Sequence, residues 1–277
     1  MSTVAELLRR AECLPGDGAR REGEILLGHC LQKPRTWLYA WPEADVAPAS
    51  EAQFAELLSE RARGVPVAYL TGRREFWSLE LAVNEHTLIP RPETETLVQW
   101  ALDLDLPDQS TVLDLGTGSG AIALALARER PSWRITAVDT SREALAVARE
   151  NGRRVGLDSV RFLQSDWFGA LTNERFDLIV SNPPYVAEGD PHLAVGDLRF
   201  EPASALVAAQ SGLADLARIV AGAIRHLGQG GWLLLEHGSE QGEPVRQMLE
   251  EARFARVATR SDLAGLDRVS GGCRHAE

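Results

Sequence analysis

The chain has 277 residues, 44% of them hydrophobic and 25% charged, and a net charge of −11. Those proportions suit an ordinary globular protein of one large domain or a domain with a smaller attachment, and no apolar run approaches the roughly 20 residues of a membrane helix. With Lys33 the only lysine, so acidic a chain gains no general attraction to nucleic acid, since that attraction rests on releasing phosphate counterions.

The N-terminal "MSTVAELLRRAECL" sets charges among apolar residues at helical spacing and lacks the uncharged core of a secretory leader, so a cytoplasmic location is expected. Cys13, Cys30 and Cys273 form no CxxC and read as reduced structural thiols. "VAELLRRAECL", "REGEILLGHCL" and "SEAQFAELLSERARG" place apolar residues three and four apart, which predicts amphipathic helices, punctuated by "GDG" at 16–18 and "WPEADVAPAS" at 41–50. Phe76, Leu79, Leu81 and Val83 then give a mostly alternating pattern, expected to form a short hairpin.

From about residue 93 the texture becomes strand, helix, strand, helix. "TVLDLG" precedes "AIALALARER", and "RITAVDT" precedes "REALAVARENGRRVG". "VRFLQ", "FDLIVSN", a helix around 213–227 and "GWLLLEHG" follow. This alternation predicts a mostly parallel sheet with helices on both faces, closed by a hairpin over "FARVATRSDLAGLDRVSGG".

The loop "DLGTGSGAI" joins the first strand of that sheet to its helix. Gly116, Gly118 and Gly120 let the backbone bend and bring N–H groups close to a ligand. The helix start behind them favours a negative group. Asp139, ending the next strand, can accept hydrogen bonds from both hydroxyls of a ribose. Gly116, Gly118 and Ala121 also satisfy the dinucleotide pattern G-x-G-x-x-A, so NAD stays open here. Asp114 tilts the reading toward S-adenosylmethionine, because a carboxylate before the turn suits an ammonium and repels a pyrophosphate. In "QSDWF", Asp166 is placed to accept from an adenine amino group and Trp167 to lie against the purine. A solvated acid and a half-buried core ring are the plainer alternatives for that pair.

"SNPPYV" directly after the apolar "RFDLIV" ends a core strand with an amide, two rigid rings and a phenol. A planar nitrogen with a delocalised lone pair is a poor nucleophile. The Asn182 side-chain oxygen and the Pro183 carbonyl can hold its two hydrogens and aim it at a methyl donor. Pro183 and Pro184 stiffen the segment, and Tyr185 offers a π face to the developing positive charge.

"DLGTGSG" with "NPPY" resembles the class I S-adenosylmethionine-dependent methyltransferases that act on exocyclic or amide nitrogens. "REFWSLELAVNEHTLIPRPETETLV", residues 74–98, resembles the linker of the release-factor glutamine N5-methyltransferase family, and the resemblance extends over essentially the whole chain. It implies a Rossmann-like, mostly parallel sheet with a small N-terminal helical domain. The expected divisions are a helical substrate-recognition domain over 1–73, a hairpin linker over 74–92 and a methyltransferase domain over 93–277. It also implies that Gly116, Thr117, Gly118, Ser119, Gly120, Asp139, Trp167 and Asn182 hold the cofactor, to which the reading of "QSDWF" adds Asp166. Asn182, Pro183, Pro184 and Tyr185 would then bind the glutamine of a Gly-Gly-Gln loop in peptide chain release factors, with "IPRPETE" (89–95) helping to wall the pocket. Capping of the next helix by Glu93 or Thr94 is the plainer alternative for those residues. No metal and no general base are implied, and no direct nucleic-acid substrate is expected. Methyl transfer to DNA adenine or an RNA nitrogen, and a nucleotide-binding module without methyl transfer, are the competing readings.

Overall fold

The computed structural model describes residues 2–16 and 18–275; Asp17 of the "GDG" turn lies outside them. The chain forms two compact units, Met1–Arg73 with Ala194–Phe200, and Arg74–Leu193 with Glu201–Glu277.

In the first unit, helices α1 (Val4–Ala11), α2 (Ala19–Leu31), α3 (Arg35–Ala40), α4 (Pro48–Ala62) and α5 (Val67–Thr71) surround a core of Leu7, Leu26, Leu27, Leu38 and Phe54. α1 starts on a capping box, in which the Thr3 hydroxyl accepts the Glu6 N–H and the Glu6 carboxylate accepts the Thr3 N–H. Residues 194–200 join this unit although they lie far along the chain. Arg61 donates to Glu22 at 2.7 and 2.8 Å and to Asp197 at 3.0 Å, and Arg199 donates to the Arg63 carbonyl at 2.6 Å. No periodicity in the sequence announces these pairings, because they rest on single side chains.

The second unit opens with a hairpin of β1 (Arg73–Phe76) and β2 (Leu79–Ala82). Its two turn residues, Trp77 and Ser78, have φ of 51° and 56°, the left-handed pair that a tight hairpin requires. α6 (Glu95–Asp103) follows, and its Glu95 accepts the Trp77 N–H at 3.0 Å. Next come β3 (Thr111–Leu115), α7 (Ala121–Glu129), β4 (Arg134–Asp139), α8 (Arg142–Arg154), β5 (Arg161–Gln164) and β6 (Phe176–Ser181). The short strands β7 (Val186–Ala187) and β8 (Val207–Ala208) pair with each other. α9 (Ala209–Gly212), α10 (Ala214–His226), β9 (Leu227–Glu236), α11 (Gly242–Glu251), β10 (Phe254–Ser261) and β11 (Asp267–Arg274) complete the fold.

The main sheet has seven strands in the order β10-β11-β9-β6-β3-β4-β5. β9, β6, β3, β4 and β5 run parallel, and β11 and β10 close one edge antiparallel, as the C-terminal hairpin pattern predicts. Successive residues of a strand face opposite sides. Val112, Leu178 and Val180 therefore pack with Leu97, Val98, Leu124 and Leu126 of α6 and α7. Leu113, Leu115 and Ile179 pack on the other side with Leu216, Ile219 and Val220 of α10 and Val245 and Leu249 of α11. Among the described residues no helix is long and apolar enough to cross a membrane.

One packing point holds the loop after β5. Phe168 stacks on His226 of α10 with ring centroids 4.7 Å apart. A Cβ on Gly222 would stand 2.4 Å from that ring. Gly222→Ala should therefore destabilise the chain by about 1–3 kcal/mol, the usual scale of overpacking, in urea or thermal denaturation. An unchanged midpoint would show that Phe168 is not fixed there.

Candidate active site

Parallel pairing sets the ends of five neighbouring strands at one level. Leu163 of β5 pairs with Val138 of β4, Val138 with Leu115 of β3, Leu115 with Ser181 of β6, and Ser181 with Leu235 of β9. The next residue of each chain is Gln164, Asp139, Gly116, Asn182 and Glu236. The buried Ser181 hydroxyl donates to the Leu115 carbonyl at 2.8 Å and ties the central two together. Ligands in open parallel sheets bind beyond these carboxyl ends.

After β3 the backbone turns through Gly116, Gly118 and Gly120 with φ of 72°, 54° and 86°, a region where a Cβ is strained. The N–H groups of Gly116 and Thr117 both donate to the Val138 carbonyl at 2.9 Å. Asp139 completes the loop, its two carboxylate oxygens accepting from the N–H groups of Gly118 and Ser141 at 2.9 Å each. Burial raises the Asp139 pKa against these bonds.

A cavity of about 270 Å³ lies against this loop, lined among others by Gly116, Gly118, Asp139, Asp166, Trp167, Asn182 and Pro184. Thr117, Ser119 and Gly120 are buried behind the loop. Thr117 donates to Asp114 at 2.7 Å, and the Ser119 carbonyl accepts from Asn151 at 2.9 Å. Asp114 does not reach the cavity wall. It is fully buried beneath the turn, with Oδ1 unpartnered, and burial pushes its carboxyl up to about 7. The expected contact between Asp114 and a cofactor ammonium is thus replaced by a bond that shapes the loop.

Asp166 lines the cavity but accepts from Arg218 of α10 at 2.6 Å, both side chains being more than half exposed. Trp167 has φ of 47°, an uncommon conformation for a bulky residue. Ser165 holds it there, donating to the Trp167 carbonyl at 2.7 Å and accepting the Ala170 N–H at 3.0 Å. A Cβ on Gly116 would lie 3.6 Å from the Trp167 ring, which therefore covers the loop from that side.

In "NPPY", Asn182 and Pro184 line the cavity, Pro183 is buried, and Tyr185 turns inward to donate to Glu236 at 3.3 Å. The Asn182 Nδ2 donates to the Thr94 hydroxyl at 3.3 Å. Thr94 makes no capping bond at the start of α6, so its hydroxyl serves Asn182 instead. The "IPRPETE" segment is held by Glu201, which accepts the Ile89 N–H at 3.0 Å and pairs with Arg91. Glu201, Glu236 and Arg218 are the site residues that local sequence reading missed, each acting on a partner more than 50 positions away.

This arrangement fits a nucleoside cofactor. Gly118 leaves open space where a Cβ would stand, the Asp139 carboxylate lines the cavity with acceptor capacity beyond its two loop bonds, and Trp167 supplies a flat wall. The chain matches the models described as Methyltransferase small domain over residues 94–214 and PrmC N-terminal domain over residues 3–72. It is 50% identical to the release factor glutamine methyltransferase of Pseudomonas aeruginosa, over 98% of this chain and 99% of that protein. It is 52% identical to the protein of the same name from Xylella fastidiosa strain Temecula1, over 91% and 92%. Among solved structures it is similar in fold to a methyltransferase from Pyrococcus furiosus, with a TM-score of 0.55 and 18% identity over 71% of this chain and 89% of that one. Near-full-length identity at this level, with both family models matched, means that the chain belongs to the release factor glutamine methyltransferases.

Proposed function

We infer that this protein transfers the methyl group of S-adenosylmethionine to the side-chain amide nitrogen (N5) of the glutamine in the Gly-Gly-Gln motif of peptide chain release factors. The observation that carries this is the placement of Asn182 one strand over from the glycine loop, at the same level and on the wall of the same cavity.

The residues divide the work. Gly116, Gly118, Asp139 and Trp167 would hold the cofactor, with Asp139 offering its carboxylate to the ribose hydroxyls while fixing the loop. When bound, S-adenosylmethionine supplies an electrophilic methyl on a positively charged sulfur. Asn182 gives its NH₂ to Thr94, which leaves Oδ1 as an acceptor for one hydrogen of the substrate amide. The Pro183 carbonyl takes the other, and Pro184 keeps that carbonyl in place. Two fixed acceptors favour the nitrogen as positive charge builds on it, with little reorganisation during the reaction, and one of its two hydrogens leaves as a proton once the methyl is transferred. Tyr185 flanks the substrate group, its hydroxyl anchored on Glu236.

Relatives named for release factor glutamine methylation speak for this substrate over nucleic acid. Acting on release factors would place the protein in the cytoplasm, where they work. Incubation with labelled S-adenosylmethionine and purified release factor, followed by mass spectrometry of the peptides, tests the reading. The label should sit on the Gly-Gly-Gln glutamine; label found only in added nucleic acid, or on another residue, would overturn it.

A further inference from the structure

Glu236 ends β9 with 1% of its surface exposed and one carboxylate oxygen, Oε2, without a hydrogen-bond partner. A buried acid left half satisfied is costly, and an apolar residue would serve the strand end better. Its surroundings suggest what the cost supports. Oε1 accepts from the Tyr185 hydroxyl at 3.3 Å, and the Thr94 hydroxyl also favours the charged form of this carboxylate. Thr94, 4% exposed, in turn accepts from the Asn182 NH₂.

A hydroxyl carries one hydrogen. Turned toward the unpartnered Oε2 of Glu236, that hydrogen would leave the Thr94 oxygen able only to accept from Asn182. The two ends of an Asn amide have nearly the same shape, so the hydrogen-bond pattern alone decides which faces the cavity. Resting on the substrate reading above, we propose that Glu236 is a positioning residue whose ionised carboxylate collects the Thr94 and Tyr185 hydroxyls and so keeps the Asn182 oxygen toward the substrate amide.

The charge on Glu236 changes near neutrality. Burial pushes its carboxyl up to about 7; Thr94, Tyr185 and Arg268 of β11 work against that rise and Glu93 adds to it. Arg268 is itself paired with Asp262 at 3.2 Å. The Tyr185 phenol is pushed well above its ordinary range, first by burial, and stays a neutral donor. Burial pushes the neighbouring His237 down, and its ring bonds to Ser270 and Gly238. Once Glu236 takes up a proton it has a hydrogen of its own to donate, the Thr94 hydroxyl is released, and the Asn182 amide loses its fixed sense.

The test reads Asn182 directly. In the unliganded wild type, the side-chain amide NMR signal of Asn182, assigned by its loss in Asn182→Ala, should titrate with a midpoint near 7, and in Glu236→Gln it should not. A signal that does not titrate, or titrates alike in both, overturns the proposal. In methyl transfer, kcat of the wild type should fall as pH drops through about 7. Glu236→Gln should lower the alkaline kcat between about tenfold and a hundredfold, the scale of a misplaced reacting group, with cofactor affinity unchanged and the acid limb gone. Thr94→Val should reproduce that loss if Glu236→Gln does not fold, Thr94→Ser should restore the rate, and the double variant should be no slower than either single one. Equal losses in kcat, cofactor affinity and melting temperature would mark Glu236 as merely structural. Should the wild type fail to methylate release factor, the substrate reading falls while the NMR result still decides on Glu236.

Discussion

Replacing Asn182 by alanine is expected to slow methyl transfer by about a hundredfold to a thousandfold, the range found when one preorganised partner of a transition state is removed. S-adenosylmethionine affinity should stay near the wild-type value, because Gly116, Gly118 and Asp139 are held by bonds that do not involve Asn182. The substitution removes the acceptor for one substrate hydrogen and leaves the buried Thr94 oxygen without its donor. Asn182→Asp separates the two losses. Its carboxylate still accepts from the substrate but meets Thr94 with an acceptor, so the chain that fixes its orientation is broken. Single-turnover rates with saturating cofactor, alongside calorimetric titration of S-adenosylmethionine, give both quantities. Wild-type turnover in Asn182→Ala would remove the central step of the mechanism.

The second large effect belongs to Asp139. Both of its oxygens accept loop N–H groups, from Gly118 and Ser141, and the same atoms are assigned to the ribose. Asn offers only one accepting oxygen, and its NH₂ would face an N–H. Asp139→Asn should therefore weaken S-adenosylmethionine binding by about tenfold to a hundredfold, as expected for a lost hydrogen bond to a charged group. Turnover at saturating cofactor should change little. Because burial raises the Asp139 pKa, affinity in the wild type should also begin to fall at a higher pH than an exposed aspartate would cause. Equal affinity in wild type and variant would show that Asp139 shapes the loop without touching ligand.

The parts of the site that the sequence reveals are those written in consecutive residues. The glycine loop, Asp139 and "NPPY" each follow a short apolar run, so their place at strand ends can be read before any fold is known. Glu236 is different. In "GWLLLEHG" it looks like an ordinary acid after a strand, and only the pairing of β6 with β9 brings it to Tyr185. Thr94 carries two readings, cap or pocket wall, and local pattern cannot separate them; the structure shows no capping bond and gives the hydroxyl to Asn182. Asp114 shows the opposite error, since its spacing suits a ligand contact while its burial gives it to Thr117. The helical character of residues 1–73 is legible from periodicity, whereas the addition of 194–200 depends on Arg61 and Arg199 finding partners more than a hundred positions away.

The common level of Val138, Leu115, Ser181 and Leu235 restricts where the chain can lengthen. One extra residue inserted near the carboxyl end of any of these strands would turn the following side chain to the opposite face of the sheet. Asp139, Asn182 or Glu236 would then turn toward the opposite helix layer and lose their present partners, with the fold otherwise intact. At the amino ends, where "PDQS" enters β3 and "NER" enters β6, the same insertion only enlarges a loop. Length variation in this architecture should accordingly gather on one side of the sheet, and the chemistry on the other.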